Sequence, residues 1–148
     1  MKQKIRIITL SIIVIAMIAS AYIYYQYNRK GLNIADVEAS AEVSADDLIR
    51  QFSQNESDAN KKFLSKIIEV SGTVKKIETN ETGLTTVVLG DNSSTSSVRC
   101  SIDSLQNESA KSIPVNAPVK LKGFCTGYIS DELGLGADVI LTNCSLVK

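Results

Sequence analysis

The stretch 67-IIEVSGTVK-75 decides the fold, because apolar and polar residues alternate along it from Ile68 to Lys75. Ile68, Val70 and Val74 fall on one face, and the residues between them are polar or small. A period of two with β-branched residues on the apolar side is typical of a strand with one buried face. The sequence therefore predicts a half-buried β-strand here.

Four further strands are predicted along the rest of the chain, separated by turn sequences rich in Asn, Asp and Gly. They cover Thr85–Leu89, Ser97–Ile102, Val119–Thr126 and Val139–Val147. The polar segment Asp103–Ser112 is predicted to form a short helix between the third and fourth strands. Three strands, a helix and a final hairpin is the order of an OB-fold, a small five-stranded barrel. The fold class is therefore predicted as mainly β.

A helical region is predicted before the first strand. Ser44 and Asp47 have the spacing of a capping box, in which Asp replaces the more usual Glu. Leu48 and Phe52 continue with apolar residues near helical spacing. The polar stretch Ser53–Ser57 is expected to bend or divide this helix. The barrel domain with its helical preface is thus predicted to cover residues 44–148.

Several segments resemble the tRNA-anticodon-binding-like OB-fold family of bacterial membrane-anchored proteins. The segments are 22-YIYYQYN-28, 44-SADDLIRQFSQNESDANKKFLSKIIEVSGTV-74, 98-VRCSI-102, 119-VKLKGFCTGYI-129 and 139-VILTNCSLV-147. The resemblance covers nearly the whole chain and implies an OB-fold behind a membrane anchor. It carries over no catalytic residues.

Residues 1–30 are predicted to hold a single N-terminal transmembrane helix. Ile7–Tyr25 contains no charged residue, and a span needs about 20 largely apolar residues. Lys2, Lys4 and Arg6 precede it, which favours a cytoplasmic N-terminus and a periplasmic or otherwise extracytoplasmic domain.

A cleaved signal peptide is the alternative interpretation, with Ala19-Ser20-Ala21 as a small-residue cleavage site. Both interpretations export the domain. Residues 31–43 show little periodicity and are predicted to be a linker from the membrane to the domain.

The distribution of charge and the absence of histidine exclude several function classes. The chain has no net charge, but all 16 acidic residues follow residue 31, so residues 31–148 carry a net charge of −5. A basic footprint for nucleic acid is therefore absent at the level of the domain. Because the chain has no His, catalysis by a nucleophile and His is excluded. We expect no enzyme activity, no cofactor and no metal site.

The candidate binding residues are the polar and aromatic side chains predicted on one face of the fourth strand, together with the lone cation of the third strand. They are Lys120, Lys122, Phe124, Tyr128 and Arg99. An alternative is that Phe124 and Tyr128 pack against the N-terminal helix through Phe52 or Phe63.

The function predicted from these features is a membrane-tethered, non-catalytic binding module outside the cytoplasmic membrane. Its partner would be an envelope protein, a peptide or a glycan, since OB-folds bind oligosaccharides as well as oligonucleotides. The alternative is a protein that binds single-stranded nucleic acid through stacking aromatics and cations.

Three cysteines fall on predicted strands with their side chains on an apolar face: Cys100, Cys125 and Cys144. Cys125 and Cys144 are expected to lie nearly level across the last hairpin. In an oxidising compartment this predicts a Cys125–Cys144 disulfide with Cys100 free and buried. The alternative is three reduced cysteines that pack as small apolar residues.

Overall fold

A computed structural model of the protein describes residue 15 and residues 17–22, 34–130 and 136–147. The chain divides into two units, Met1–Asn33 and Ile34–Lys148. In the first unit, residue 15 and residues 17–22 are helical. Within the described ranges, no helix is long and apolar enough to span a membrane. Most of the predicted anchor Ile7–Tyr25 lies outside the described residues.

The described residues of the second unit form six strands, and five of these close into a barrel. The strands are β1 (Ala41–Ser44), β2 (Ile67–Thr79), β3 (Thr85–Leu89), β4 (Ser97–Ile102), β5 (Pro118–Ser130) and β6 (Ala137–Leu146). Their order is β1–β2–β3–β4–β6–β5, and β2 also pairs with β5. The predicted five-stranded barrel is therefore confirmed as β2 to β6.

The length of β2 allows it to close the barrel. Its first half pairs with β5 from Ile67 to Thr73, and its second half pairs with β3 from Val74 to Thr79. Gly72 lies near the end of the first half, where it pairs with Val119. A Cβ atom placed on Gly72 would lie 2.9 Å from the Cβ of Ala45, so the absence of a side chain there lets the first helix approach the sheet.

The strand β1 was not predicted from the sequence. It pairs in parallel with β2, from Ala41 opposite Ile68 to Ser44 opposite Ser71. Ile34 is also buried, at the start of a short 3-10 helix. The interpretation of residues 31–43 as a linker is therefore wrong from residue 34 onward, and the folded unit begins before residue 44.

Within its described residues, the unit also has three α-helices: α1 (Ala45–Gln54), α2 (Glu56–Phe63) and α3 (Asn107–Lys111). The predicted cap of α1 is confirmed, because the Ser44 side chain accepts a hydrogen bond from the Asp47 N–H at 3.1 Å. The predicted division is also confirmed. Asn55 follows α1 and caps α2 by accepting from the Asp58 N–H.

A single core fills the barrel and continues under α1 and α2. Leu48 and Phe52 of α1 are fully buried, and α1 packs against β2, β4 and β6. The short helix α3 packs against β3, as expected for the helix between the third and fourth strands of an OB-fold. The helical preface is thus an integral part of the barrel's core.

Candidate ligand-binding surface

Two β-bulges in the β5–β6 hairpin decide which side chains share a face. The pairing shifts between Lys122 and Phe124 and again between Cys125 and Gly127. Each bulge resets the alternation of side chains, because one strand contributes an extra residue. Lys120, Lys122 and Phe124 therefore lie on the outer face, whereas Tyr128 pairs with the buried Val139. The prediction that Tyr128 shares one face with the other three residues is wrong.

Tyr128 packs against the helical region, as the alternative interpretation proposed. Its ring stacks on that of Phe52 with 5.1 Å between centroids, and Phe52 lies 6.1 Å from Phe63. The Tyr128 hydroxyl lies 3.4 Å from the Ser53 Oγ. Stacked aromatic pairs stabilise a fold beyond the area they bury. Tyr128 is therefore engaged in joining β5 to α1.

Lys120 and Lys122 both make polar contacts within the domain. The Lys120 Nζ lies 3.1 Å from the Glu69 carboxylate. That hydrogen bond, and then the negative charges of Glu69 and Glu42, raise the pKa of Lys120. The Lys122 Nζ donates to the Val37 carbonyl oxygen at 2.9 Å. A ligand phosphate would have to compete with these acceptors.

Residues 34–40 form a strap across the outer face of β5 and β6. Ile34 is buried against these strands but lies outside the core of the barrel. The Ser40 N–H donates to the Ile67 carbonyl oxygen at 2.8 Å and fixes the end of the strap. Together with the Lys122 contact, the strap covers part of the face on which ligand binding was predicted.

Arg99 lies in an ion-pair network on the outer face of β3 and β4. Its guanidinium contacts the Glu78 carboxylate at 2.5 Å and the Asp138 carboxylate at 3.9 Å. The Lys76 Nζ contacts Glu78 at 2.6 Å. The ion-pair network (Lys76, Glu78, Arg99 and Asp138) has no net charge, and its side chains are 31–55% exposed. Val88 of β3, which pairs with Arg99, is almost completely buried.

The network changes the ionisation of its central acid. The hydrogen bond from Lys76, and then the guanidinium of Arg99, hold the pKa of Glu78 below its usual value. Ser97 extends the network, because its hydroxyl donates to the Asp138 carboxylate at 2.5 Å. Of the residues in this network, only Arg99 was predicted from the sequence as a binding residue. Its partners lie on other strands, and only the register of the sheet brings them together.

The three cysteines are free thiols, so the predicted Cys125–Cys144 disulfide is absent. Cys125 pairs with Leu141, and the next bulge lies between Leu141 and Cys144. The prediction that Cys125 and Cys144 lie level across the hairpin is therefore wrong. Burial raises the pKa of the Cys125 thiol to about 11 and raises that of Cys144 well above the usual value.

An open groove of about 860 Å³ lies between the start of α1, the middle of β2 and the turn after β3. Its polar side chains include Ser71, Thr73, Asp46 and Asp91, and Lys120 lines it at the start of β5. Lys120 is the one candidate from the sequence that faces this groove. Across the described ranges, no group of three or more His, Cys, Asp or Glu residues could hold a metal ion.

The sequence model of one family, tRNA_anti-like, matches residues 1–145 of the chain. The chain belongs to the tRNA_anti-like family. The resemblance found in the sequence is thus confirmed over nearly the whole chain. Comparison with curated proteins gives no match.

A solved lipoprotein structure shares the fold of this tRNA_anti-like protein at low sequence identity, and two further structures are similar to it at lower TM-scores. A Klebsiella pneumoniae lipoprotein proposed to bind nucleic acid is 17% identical, with a TM-score of 0.56 over 74% of this chain and 93% of the lipoprotein. A replication factor A related protein of Methanobacterium thermoautotrophicum is 14% identical, with a TM-score of 0.37 over 57% of this chain and 84% of that protein. Asparaginyl-tRNA synthetase of Pyrococcus horikoshii is 17% identical, with a TM-score of 0.40 over 58% of this chain and 20% of the synthetase.

The OB-fold of the tRNA_anti-like chain determines where a ligand is expected. OB-folds bind extended ligands on the face of their second and third strands, between the first and last hairpin loops. Those strands are β3 and β4 here, so the ion-pair network lies on the expected ligand face. Among the sequence candidates, Arg99 lies on that face, whereas Lys120 and Lys122 lie on β5 beside β2, where Lys122 also contacts the strap.

Proposed function

We propose that this protein is a membrane-tethered, non-catalytic binding module displayed outside the cytoplasmic membrane. Its outer β3–β4 face would bind an extended polar chain, a peptide or a glycan, of an envelope component. One observation carries the proposal: the ion-pair network on this face balances every charge it contains, and neither β3 nor β4 has an aromatic residue.

The composition of the face favours a ligand of low charge. Single-stranded nucleic acid is bound through unpaired cations and through aromatics on which bases stack. On this face a phosphate would have to separate Arg99 from Glu78 and Asp138. The net charge of −5 over residues 31–148 also repels a polyanion at long range. Hydroxyl, amide and carbonyl groups, by contrast, can hydrogen-bond to the outer atoms of the network without breaking it.

The sequence supports the tether and the absence of catalysis. Ile7–Tyr25 is an uncharged run that follows Lys2, Lys4 and Arg6, as expected for an exported anchor. The chain has no His, and burial raises the pKa values of the Cys125 and Cys144 thiols. A thiol must ionise to act as a nucleophile, so these cysteines do not suit covalent catalysis.

Binding of single-stranded nucleic acid is the second candidate function. It is favoured by membership of the tRNA_anti-like family and by the similarity to a lipoprotein proposed to bind nucleic acid. Arg99, at the centre of the expected ligand face, would then contact phosphate or a base. The two candidates differ in charge dependence, because affinity for nucleic acid falls steeply with salt.

Photo-crosslinking in intact cells tests the main proposal. A photo-reactive residue replaces Ser101, which lies two positions from Arg99 on the outer face of β4, and a matched control replaces the exposed Lys61 on α2. We expect an adduct to an envelope protein or glycan from position 101 alone, reduced by Arg99→Gln. Equal adducts from both positions, or none from position 101, would contradict the proposed face.

An oligonucleotide titration separates the two candidates. Full-length protein in detergent is mixed with labelled single-stranded DNA and RNA at low and at physiological salt. We expect no change in anisotropy at either salt. Binding at low salt that weakens with added salt and with Arg99→Gln, but not with Lys61→Gln, would establish the nucleic-acid function instead.

Protease treatment of spheroplasts tests the location. A tag at the C-terminus should be lost when protease is added outside intact spheroplasts, while a cytoplasmic marker survives. A tag that is digested only after lysis would place the domain in the cytoplasm and contradict the proposal.

A further inference from the structure

Cys100 and Cys144 lie on neighbouring parallel strands, β4 and β6, and both are fully buried inside the barrel. Ile102 pairs with Cys144, and Cys100 pairs with Leu141. Both side chains enter the core from these adjacent strands, and the Cys100 thiol helps to raise the pKa of Cys144. The structure thus brings together two cysteines that are far apart in the sequence.

A bulge in β6 turns Cys144 toward Cys100. Leu141 and Cys144 are both buried although strict alternation would put them on opposite faces. Asn143 has a φ of 51°, a left-handed conformation that Asn adopts more readily than most residues, and the register shifts at this point. The extra residue resets the alternation, so the side chain of Cys144 enters the core.

Gly123 supplies the space that the Cys144 sulfur occupies. A Cβ atom placed on Gly123 would lie 2.4 Å from the Cys144 Sγ. The sulfur is therefore confined between β5 and Cys100. This confinement limits the positions available to it, which favours reaction with the neighbouring thiol over any other.

Cys125 has a different environment. It pairs with Leu141 across the hairpin, and its sulfur accepts a hydrogen bond from the Gly127 N–H. Because Leu141 of β6 pairs with Cys100 on one side and with Cys125 on the other, β6 separates Cys125 from Cys100. Cys125 is thus the thiol expected to stay single.

We infer that Cys100 and Cys144 form a disulfide when the chain folds in an oxidising compartment, and that Cys125 remains a free thiol. The inference rests on the proposed export for its setting in the cell. In the reaction two S–H bonds break and one S–S bond forms. Two protons go to solvent, and two electrons reduce the disulfide of an oxidant such as oxidised glutathione or a thiol–disulfide oxidoreductase.

The bond forms during folding rather than afterwards. Both thiols are closed to solvent in the folded barrel, and an oxidant must reach a thiolate to form the mixed disulfide. In the disulfide the two sulfur atoms lie about 2.05 Å apart, and both side chains already lie in the same core on adjacent strands.

Refolding in a glutathione buffer tests the pairing without cells. Full-length protein in detergent is reduced, denatured and refolded with oxidised and reduced glutathione, then unfolded and alkylated before and after reduction with isotopically different reagents. We expect a mass lower by two hydrogen atoms, with Cys100 and Cys144 carrying the second label and Cys125 the first. Three cysteines with the first label, or a bond that includes Cys125, would overturn the inference.

Two variants and one cellular sample complete the test. Cys125→Ala should keep the loss of two hydrogen atoms, and Cys100→Ala should abolish it. If Cys100→Ala does not fold, the position of the labels in the wild-type protein still decides. Protein isolated from cells under acid quench separates the two proposals: a pair that forms on refolding but is reduced in cells leaves the pairing correct and contradicts export.

Discussion

The interior of the barrel and the outer face of β3 and β4 differ in how closely each position is determined. Inside, Gly123 and Cys144 fit so tightly that one added carbon would overlap a sulfur. Outside, the ion-pair network consists of side chains that are a third to a half exposed and can move in solvent. Packing inside the barrel maintains the fold, whereas the outer face can change its partners at little cost in stability.

Truncation of Phe52, in the interior, should produce the largest loss of stability. Phe52 is fully buried and stacks on Tyr128, so Phe52→Ala leaves a cavity beneath α1. We expect a loss of about 3–5 kcal/mol in the free energy of unfolding, measured by denaturant titration. Tyr128→Phe, which keeps the stacked ring, is the control and should change stability by less than about 0.5 kcal/mol. A small effect of Phe52→Ala would show that α1 is not part of the cooperative core.

Adding one methyl group at Gly123 tests how tightly the interior is packed. Gly123→Ala should lower the free energy of unfolding by about 1–3 kcal/mol, because the new Cβ overlaps the Cys144 Sγ. Under reducing conditions, the double variant with Cys144→Ala should lose less than the sum of the two single variants, since the overlap is then removed. Additive losses would mean that Cys144 is not what confines this position.

Alkaline pH tests the interior through its thiols. The pKa of Cys125 is raised to about 11, so the folded chain keeps a proton that the unfolded chain begins to release near pH 9. The contribution of Cys125 to the free energy of unfolding is therefore fully present below pH 9 and is lost as the pH rises toward 11. The loss is about 1 kcal/mol at pH 10. Cys125→Ala should lose this part of the pH dependence between pH 7 and 10. An unchanged slope in the variant would show that Cys125 is not buried as described.

Acid pH and Glu78→Gln test the outer face, where we expect the smallest effect. The pKa of Glu78 is lowered, so its ion pairs stabilise the fold above the usual carboxyl range and are lost as the pH falls through the lowered pKa. Glu78→Gln should cost less than about 1 kcal/mol at pH 7, because exposed ion pairs contribute little, and should flatten the decline at acid pH. Glu81→Gln, on an exposed turn, is the control. If Glu78→Gln lowered the free energy of unfolding as much as Phe52→Ala, the outer face would be as important for stability as the interior, contrary to this prediction.

Alternation in the sequence predicted the barrel because most strands keep a period of two. The stretch from Ile68 to Val74 and the segment Thr85–Leu89 form β2 and β3 as expected. The prediction failed where a bulge adds a residue, as at Asn143 and before Tyr128. A bulge has no repeating sequence pattern that would reveal it. The sequence therefore could not show which side chains after a bulge change to the other face of the strand.

The candidate site was only partly predictable for a related reason. Arg99 stands out in the sequence as the lone cation of its strand, and it lies on the expected ligand face. Glu78 and Asp138 become its partners through strand register, which depends on the closure of the whole barrel. β1 and the strap were missed because their short segments lie outside the pattern and are ordered by contacts with β2, β5 and β6.

The strap over residues 34–40 has a consequence for the time scale on which the hairpin opens. Around Lys122 and Phe124, the core covers the inner face of β5, and Ile34 with the Val37 carbonyl covers the outer face. Amide hydrogens of β5 there exchange with solvent only when the strand separates from both the core and the strap. Such local opening is expected to be rare. The hairpin is therefore expected to be a slowly exchanging part of the barrel, whereas the outer face of β3 and β4 is covered by the partly exposed side chains of the ion-pair network.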